Sequence, residues 1–580
     1  MPSDRKETIL SKNKAEYDLA ISDLKTAKDT WAQTGITDRI EILNEIKDAL
    51  MAVSASWATT AADRKGIEKD TALVGEEWIS GPYALMSACN GLMLTLSKMK
   101  DKSFLNSLPK RTLGTGQLAV KVLPHNIWDR LLFSGIKAEV WMQKGVTQGN
   151  LTQNAASIYD TPADQRKGKV ALILGAGNIA AIAPLDCFQK IFMENQVVIL
   201  KMNPVNDYLT EFLTDALKPL IDRDALRVVK GDGAAGEYLV NHGDVEEIHI
   251  TGAAATHDAI IWGVGAKGAA NKKASTPINS RNMTSELGAV CPTIVVPGPW
   301  SDADIDFQAQ HIATQKLHNS GFNCIACQAL ILPKTWDKTA KLMARVEHVI
   351  NKSAPRQAYY PGAAARMQDF AGHGDAVIHV DRGSAPALVI ADMDDNSDTW
   401  LESNEVFAPA LSTYKIDQTD PEKYLAEAIE YANTHLYGTL GGNILIHPRT
   451  IKQIGKTRFE ELVAGFHYGH VAINAWTGVG FLLTQTPWGA FPGHTLDDVQ
   501  SGIGTVHNTF MLENTERTVV HAPWRPFPRN LLSGGVTLLP KPPWFITNRK
   551  QDKIGELLTK FVYRPSWLKI PRIFLNALLG

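Results

Sequence analysis

From Lys169 onward the chain alternates short apolar runs with helical stretches, and that alternation limits the available folds more than any other feature. VALIL, VVIL, LRVV and EEIHI are each followed by Gly, Lys or Thr, which predicts a parallel sheet covered by helices. The same texture resumes after Glu286 with PTIVV, QALIL and ALVIA, and continues through GGNILI and VAIN near Asn474. A chain of 580 residues is too long for one ordinary core, so an α/β protein of two such domains is expected. Ahead of them, apolar positions at helical spacing (Leu19, Ile21, Leu24, Ala27, Trp31, then Ile40, Leu43, Ile46, Leu50) predict two amphipathic helices separated by Gly35. Beyond about Arg517 the sequence turns rich in Pro and Trp with a basic end, which reads as an appended segment.

Apolar residues make up 44% and charged residues 21%, with a formal net charge of -2. This is ordinary globular composition and lacks the basic footprint of a nucleic-acid binder. The cysteines, Cys89, Cys187, Cys291, Cys324 and Cys327, are odd in number, which fits a reducing compartment such as the cytoplasm. Cys324 and Cys327 have no second ligand pair nearby, so no metal site is expected. The N-terminus has no basic-then-apolar layout of a secretory leader, and no apolar run approaches the roughly 18 residues that span a bilayer.

Two glycine clusters stand at strand-to-helix turns. Gly175-Ala176-Gly177-Asn178-Ile179-Ala180 matches the dinucleotide pattern G-x-G-x-x-A, but the strand after it ends in Lys201 where an acid usually holds a ribose. Gly231-Asp232-Gly233-Ala234-Ala235-Gly236 is the second cluster. Either could be only a tight turn. Cys324, in NSGFNC ahead of an apolar run, could be a small buried hydrophobe, or a soft nucleophile of the kind that oxidation of an aldehyde to an acid requires.

The segment Ser285-Glu286-Leu287-Gly288-Ala289-Val290-Cys291-Pro292, the Asn319–Cys324 segment, Glu405-Val406-Phe407-Ala408-Pro409 and Asn433 to Gly438 decide between these readings. In this order they resemble the aldehyde dehydrogenase superfamily, whose members carry E-L-G-G-K-x-P, N-x-G-Q-x-C, E-x-F-G-P and N-x-x-x-Y-G. Asn178 with Lys201, the Gly231 cluster, Ile250-Thr251-Gly252, the helices bearing Trp31 and Arg39, and Pro487-Trp488-Gly489 extend the resemblance from about residue 14 to about residue 510.

The resemblance implies a Rossmann-type nucleotide-binding domain with N-terminal helices over 1–285, including an oligomerisation arm near 130–160. A second α/β catalytic domain would span 286–490, a return segment 491–516, and the appended segment 517–580. It implies Cys324 as nucleophile, with its own N–H and the Asn178 amide as oxyanion hole, and Glu286 as the base for thioester hydrolysis. Lys201 would bind adenosine-ribose hydroxyls, Gly231, Gly233 and Gly236 would form the second glycine turn, and Thr251-Gly252-Ala253 would open a helix near the pyrophosphate. Glu405 would take the nicotinamide ribose and Phe407 would wall the nicotinamide pocket. Taken without the resemblance, Glu405 and Lys201 read as solvated charges.

The sequence departs from the family where Gly177 replaces Trp, Ala289-Val290 replaces Gly-Lys, and Phe322 replaces Gln. Pro204 stands where a Glu often selects NAD, so NAD is expected with NADP as the alternative. Acylating reduction with coenzyme A, or a non-catalytic binding protein, are the other readings; the presence of Glu286 argues against the first. The partner is an aldehyde, expected to be apolar from the late tryptophans Trp476, Trp488, Trp524 and Trp544, and the chain is expected to form a homodimer or homotetramer. Residues 541–580 hold eight Lys or Arg against two acids. With the helical stripe Ile554, Leu557, Leu558, Phe561 and Val562, they are expected either to pack on the parent protein or a neighbouring subunit, or to touch a membrane surface peripherally.

Overall fold

The computed structural model describes residues 2–393 and 398–580. Two long helices, Pro2–Gln33 and Ile36–Arg64, open the chain and meet at Gly35. Ile21, Leu24 and Trp31 face inward as their spacing predicts, but Leu19 is 64% exposed, because Tyr17, Ala20 and Ile21 already fill the buried face at that level. Arg39 fixes the junction. Its guanidinium is fully buried and donates to the carbonyls of Trp31 (2.9 Å) and Ile191 (3.3 Å), and its Nε to Thr34 (3.1 Å). These are carbonyls that the end of the first helix leaves without an intrahelical partner, together with one from the nucleotide domain.

The apolar runs after Lys169 form the expected parallel sheet. Its order is Leu226–Val229, Val197–Lys201, Val170–Leu174, Glu247–Gly252, Asn282–Leu287, with the short antiparallel Gly502–Ile503 at the edge. The chain winds outward in one direction from Val170–Leu174 and then in the other, so a topological switch point lies between that strand and Glu247–Gly252. In open α/β sheets, ligands bind beyond the carboxyl ends of the strands at such a point. The turn that carries Asn178 and the turn that carries Thr251 and Gly252 both sit there.

The second sheet has eleven strands. Its centre is parallel: Ala410–Ile416, Cys327–Pro333, Cys291–Val295, Gly441–Leu445 and His470–Ile473 lie side by side. Thr515–His521 continues it in parallel and the antiparallel strands Lys137–Met142, Leu118–Leu123 and Lys110–Thr112 complete that side, while Ala385–Asp392, parallel to Ala410–Ile416, and the antiparallel Val377–Arg382 complete the other. The division expected at residue 517 therefore falls inside a strand; the appended part starts after His521. Lys137–Met142, the strand inside the segment expected as an arm, pairs within the chain with Thr515–His521 and Leu118–Leu123.

The C-terminal segment returns to the N-terminal layer. Helix Gln551–Tyr563 crosses the short helix Val74–Trp78, and a Cβ on Gly75 would overlap the backbone of Gln551. Gly555 lies in the same crossing, where a Cβ would come within 2.8 Å of Trp78 Cβ. Ile554 and Phe561 are buried, and Phe561 meets Trp128 edge to face at 5.2 Å. The apolar stripe in this helix is thus packed on the parent chain. Gly75→Val should therefore lower stability by about 1–3 kcal/mol through overpacking. It should also open the Arg549–Lys550 region to trypsin; an unchanged melting temperature and cleavage pattern would disprove the close crossing.

Candidate active site

A cavity of about 880 Å³ occupies the switch point and reaches Cys324. Asn178, Lys201, Gly233, Gly236, Thr251, Gly252, Ala253, Glu286, Cys324, Glu405 and Phe407 all line it, as expected for a shared nucleotide and catalytic site. Gly231 does not. A Cβ there would press on Ala235 and on the Tyr17 hydroxyl, so this glycine lets the turn pack against the N-terminal helix. The two helix openings also differ. Asp232 caps Gly233–Val240 by accepting from the N–H groups of Ala234 and Ala235 at 3.1 and 3.2 Å. Helix Ala254–Trp262 has no side-chain cap, which leaves its N–H groups and its positive dipole end for an anion such as a pyrophosphate.

The walls fit a dinucleotide in two further respects. Lys201 is 8% exposed and has no hydrogen-bond partner among the described residues. Burial pulls its ammonium below the usual lysine range, with Asp232 opposing. Glu405 is half-buried, with its Oε1 buried and unpartnered, and its carboxyl lies so close over Gly288 that any Cβ there would collide with it. Burial raises its pKa to about 8, against Lys316 and Arg366 and with help from the Glu286 charge. At neutral pH it can donate as well as accept, which suits a ribose hydroxyl.

The reacting groups come from both sheets. Glu286 belongs to Asn282–Leu287 in the first, and the chain passes through Gly288 into Cys291–Val295 of the second. Cys324 follows a tight turn in which Asn319, Ser320 and Gly321 all have positive φ, at 52°, 54° and 82°. Such a run is strained for the two non-glycine residues, and buried hydrogen bonds hold it. The Cys324 thiol donates to Glu286 Oε1 at 3.2 Å. Burial first, then the Glu286 and Glu405 charges, push the thiol well above its usual range. Burial raises Glu286 to about 7, and the negative charge of Asp186 adds to the rise. Asn178 Nδ2 donates to the Phe322 carbonyl at 3.0 Å, which fixes the amide plane and leaves its second N–H available.

Several of these partners carry no motif in the sequence. The Asn178 carbonyl accepts from Lys65 Nζ at 2.9 Å, Tyr359 OH at 3.1 Å and Asn319 Nδ2 at 3.2 Å. Lys65 also bonds both oxygens of Glu77 at 3.0 Å, and Glu76 pairs with Arg356 and accepts from the Asn319 N–H at 3.0 Å. The adjacent Glu76-Glu77 pair, followed by a lone Arg far along the chain, gave no sign of this cluster. Gly177, in place of the family's Trp, leaves room that Tyr360 uses: a Cβ there would lie 2.9 Å from the Tyr360 hydroxyl. Tyr360 and Phe322, whose rings are 5.5 Å apart, form an aromatic group with Phe407.

A two-domain α/β protein with a nucleotide-shaped cavity that ends at a cysteine and a carboxylate is a distinct class. The family model of the aldehyde dehydrogenase family matches residues 178–372. The dimeric NADP-preferring aldehyde dehydrogenase of Mus musculus is 24% identical over 277 residues, covering 46% of this chain and 55% of that protein. The 1-pyrroline-5-carboxylate dehydrogenase of Oceanobacillus iheyensis is 25% identical over 317 residues, 52% and 56% of the two chains. The chain thus spans about half the length of the curated relatives it matches. Among solved structures, an aldehyde dehydrogenase of Mycobacterium tuberculosis complexed with NAD+ has a TM-score of 0.58 at 15% identity, covering 87% of this chain and 89% of that one. Aldehyde dehydrogenase C of Pseudomonas syringae, in a mutant complexed with NAD+ and octanal, has a TM-score of 0.57 at 16% identity over 88% and 90%. Over residues 178–372 the chain thus matches the aldehyde dehydrogenase family, and its fold is that of the solved aldehyde dehydrogenases.

Because the Glu286 charge raises the Cys324 thiol, Glu286→Gln should move the midpoint of Cys324 alkylation to lower pH. Iodoacetamide rates read by intact mass across pH, with Cys324→Ala as blank, would test this. An unmoved midpoint would mean that the carboxylate does not act on the thiol.

Proposed function

We propose that this protein oxidises an aldehyde to a carboxylic acid with a nicotinamide dinucleotide, through a thioester on Cys324. The contact of 3.2 Å between Cys324 Sγ and Glu286 Oε1, beside the Asn178 amide, carries the reading. Cys324 loses its proton to water and attacks the aldehyde carbon as the thiolate. The carbonyl oxygen becomes an oxyanion that the free N–H of Asn178 and the Cys324 backbone N–H receive; one such donor contributes roughly 3–4 kcal/mol. The dinucleotide supplies the hydride acceptor for oxidation of this adduct. Glu286 then takes a proton from water, which cleaves the thioester. Glu286 must be ionised for that step, so deacylation should rise as pH passes through about 7.

NAD is the favoured dinucleotide because Asp232 lies beside Lys201 and its charge opposes a ribose phosphate. The substrate is taken to be apolar; the Pseudomonas syringae fold neighbour was crystallised with octanal. Hydrolysis is favoured over acyl transfer to coenzyme A, since Glu286 is in place beside the sulfur. A homodimer or homotetramer would form through surfaces other than the strand Lys137–Met142, which is paired within the chain. A reducing compartment such as the cytoplasm suits the chain, whose cysteines are all free thiols.

No helix among the described residues is long and apolar enough to cross a membrane. Peripheral attachment is proposed through the outer face of the C-terminal segment, where Trp567 is 61% and Leu568 90% exposed beside Lys569 and Arg572. A basic residue near an anionic surface contributes about 1 kcal/mol. The double variant Leu568→Ser, Arg572→Glu should lose salt-sensitive sedimentation with phosphatidylserine vesicles while it keeps activity on a short aldehyde. Equal sedimentation of wild type and variant would remove the membrane proposal.

Cys324→Ala should abolish oxidation and covalent acylation, whereas Cys327→Ala, a buried position in Cys327–Pro333, should leave turnover largely intact. Glu286→Gln should give one equivalent of NADH and then stall with acyl-enzyme visible by mass, and coenzyme A should not accelerate the wild type. Steady-state rates equal to wild type in Glu286→Gln would refute its role in hydrolysis.

A further inference from the structure

A second, almost wholly carbon-lined cavity of about 60 Å³ lies between the C-terminal segment and the helical segments Ile79–Tyr83 and Thr477–Leu482. On one side its walls are Ile79, Tyr83, Val479 and Leu482; on the other they are supplied by the C-terminal segment, including Trp544, Ile554, Phe574 and Ala577. It shares no lining residue with the nucleotide cavity. The one charged residue on its wall, Lys541, turns its ammonium to the Thr547 carbonyl at 2.9 Å and offers only its methylene stem.

Two connections bring this space to the reacting sulfur. The Trp476 indole donates to the carbonyl of Ile325, the residue after Cys324, at 3.2 Å. Trp476 lines a smaller apolar gap that shares Val479, Leu539 and Trp544 with the larger cavity. Val479 stands about one helical turn beyond it, roughly 5 Å away. On the other flank, the Ala181 N–H donates to the Ser80 carbonyl at 3.0 Å, so the turn that carries Asn178 rests on the Ile79–Tyr83 segment. The walls of the cavity thus belong to segments that pack directly on the loop of Cys324 and the turn of Asn178.

From this arrangement we infer that the C-terminal segment completes a chain-binding site, and that the substrate is an aldehyde with an unbranched alkyl chain whose tail enters this cavity. The inference rests on the oxidation reading above. A wall almost wholly of carbon strips a polar substituent of most of its hydrogen bonds and penalises it, while each buried methylene gains affinity. The volume is about four to six times what one water needs, which suits a few methylene groups in single file and excludes a branched or ring-bearing tail.

The test pairs a kinetic and a binding measurement on the full chain. Saturated aldehydes from propanal to dodecanal are compared in wild type, Ala577→Trp, which fills the cavity, and Phe574→Ala, which enlarges it. Calorimetric titration with octan-1-ol, which is not an aldehyde, measures the cavity without turnover. We expect saturable octan-1-ol binding in wild type and its loss in Ala577→Trp. That variant should raise KM for nonanal by about tenfold or more with propanal kinetics within about twofold, and Phe574→Ala should move the preferred chain to greater length. The inference is overturned if wild type binds no octan-1-ol saturably, or if both variants keep the wild-type chain-length profile while oxidising propanal normally. Should octan-1-ol bind and Ala577→Trp abolish it while no aldehyde is oxidised, the apolar site stands and the oxidation reading falls.

Discussion

The capture of the Asn178 carbonyl by Lys65, Tyr359 and Asn319 holds three layers of the molecule together. Lys65 follows the second N-terminal helix, Asn178 opens the nucleotide domain, and Asn319 and Tyr359 belong to the catalytic half. The charges behind it, Lys65 and Arg356 against Glu76 and Glu77, are all buried and balance to zero. Burial pulls the Lys65 ammonium down and Glu77 opposes it; burial also disfavours the Glu76 carboxylate, but Arg356 and its other partners keep it below its usual range. Losing one partner would strand a buried charge, a fault that typically costs about 3–5 kcal/mol. The same bonds aim the Asn178 amide and hold the left-handed turn before Cys324, so stability and catalytic geometry have a common source.

Electrostatics at the sulfur follow from the same enclosure. Burial raises Glu286 and Glu405, and the neighbouring carboxyl charges add to the rise at each. Glu286 sits near neutrality and Glu405 above it, so both can exchange roles as donor and acceptor at physiological pH. Asp186 accepts from the Thr251 hydroxyl at 2.9 Å, and its charge discourages ionisation of Glu286. A thiol surrounded in this way stays protonated, and so poorly nucleophilic, at rest.

Much of this was legible in the sequence, because periodicity and turn glycines are local signals. The parallel strands, the two N-terminal helices, and Cys324, Glu286, Asn178, Lys201 and Glu405 around one cavity all follow from short segments that keep their spacing. What escaped depends on contacts across long stretches of chain. Lys65 reads as an ordinary lysine at a helix end until Glu77 and Asn178 surround it. Gly231 reads as a nucleotide glycine, but Tyr17 lies behind it. The segment after Arg517 looked foreign by composition, yet its first strand is framed by Lys137–Met142 and His470–Ile473. Strand pairing is a nonlocal choice, and no feature of TERTVVH announces its neighbours.

The C-terminal segment also changes what the resemblance alone would suggest about this site. The nucleotide cavity has walls drawn from the segments that keep the family's spacing, whereas the apolar cavity takes most of its walls from residues beyond them. On the proposed reading, one half holds the cofactor and the reacting groups while the other sets which aldehyde is accepted. The close crossing at Gly75 and Gly555 is what lets the two depend on each other: it pins helix Gln551–Tyr563 against the layer that also presents Lys65 to Asn178. A larger residue in that crossing would shift the outer wall of the apolar cavity and the support of the oxyanion donor together, so the segment is bound to the fold through the same layer that orders the reacting groups.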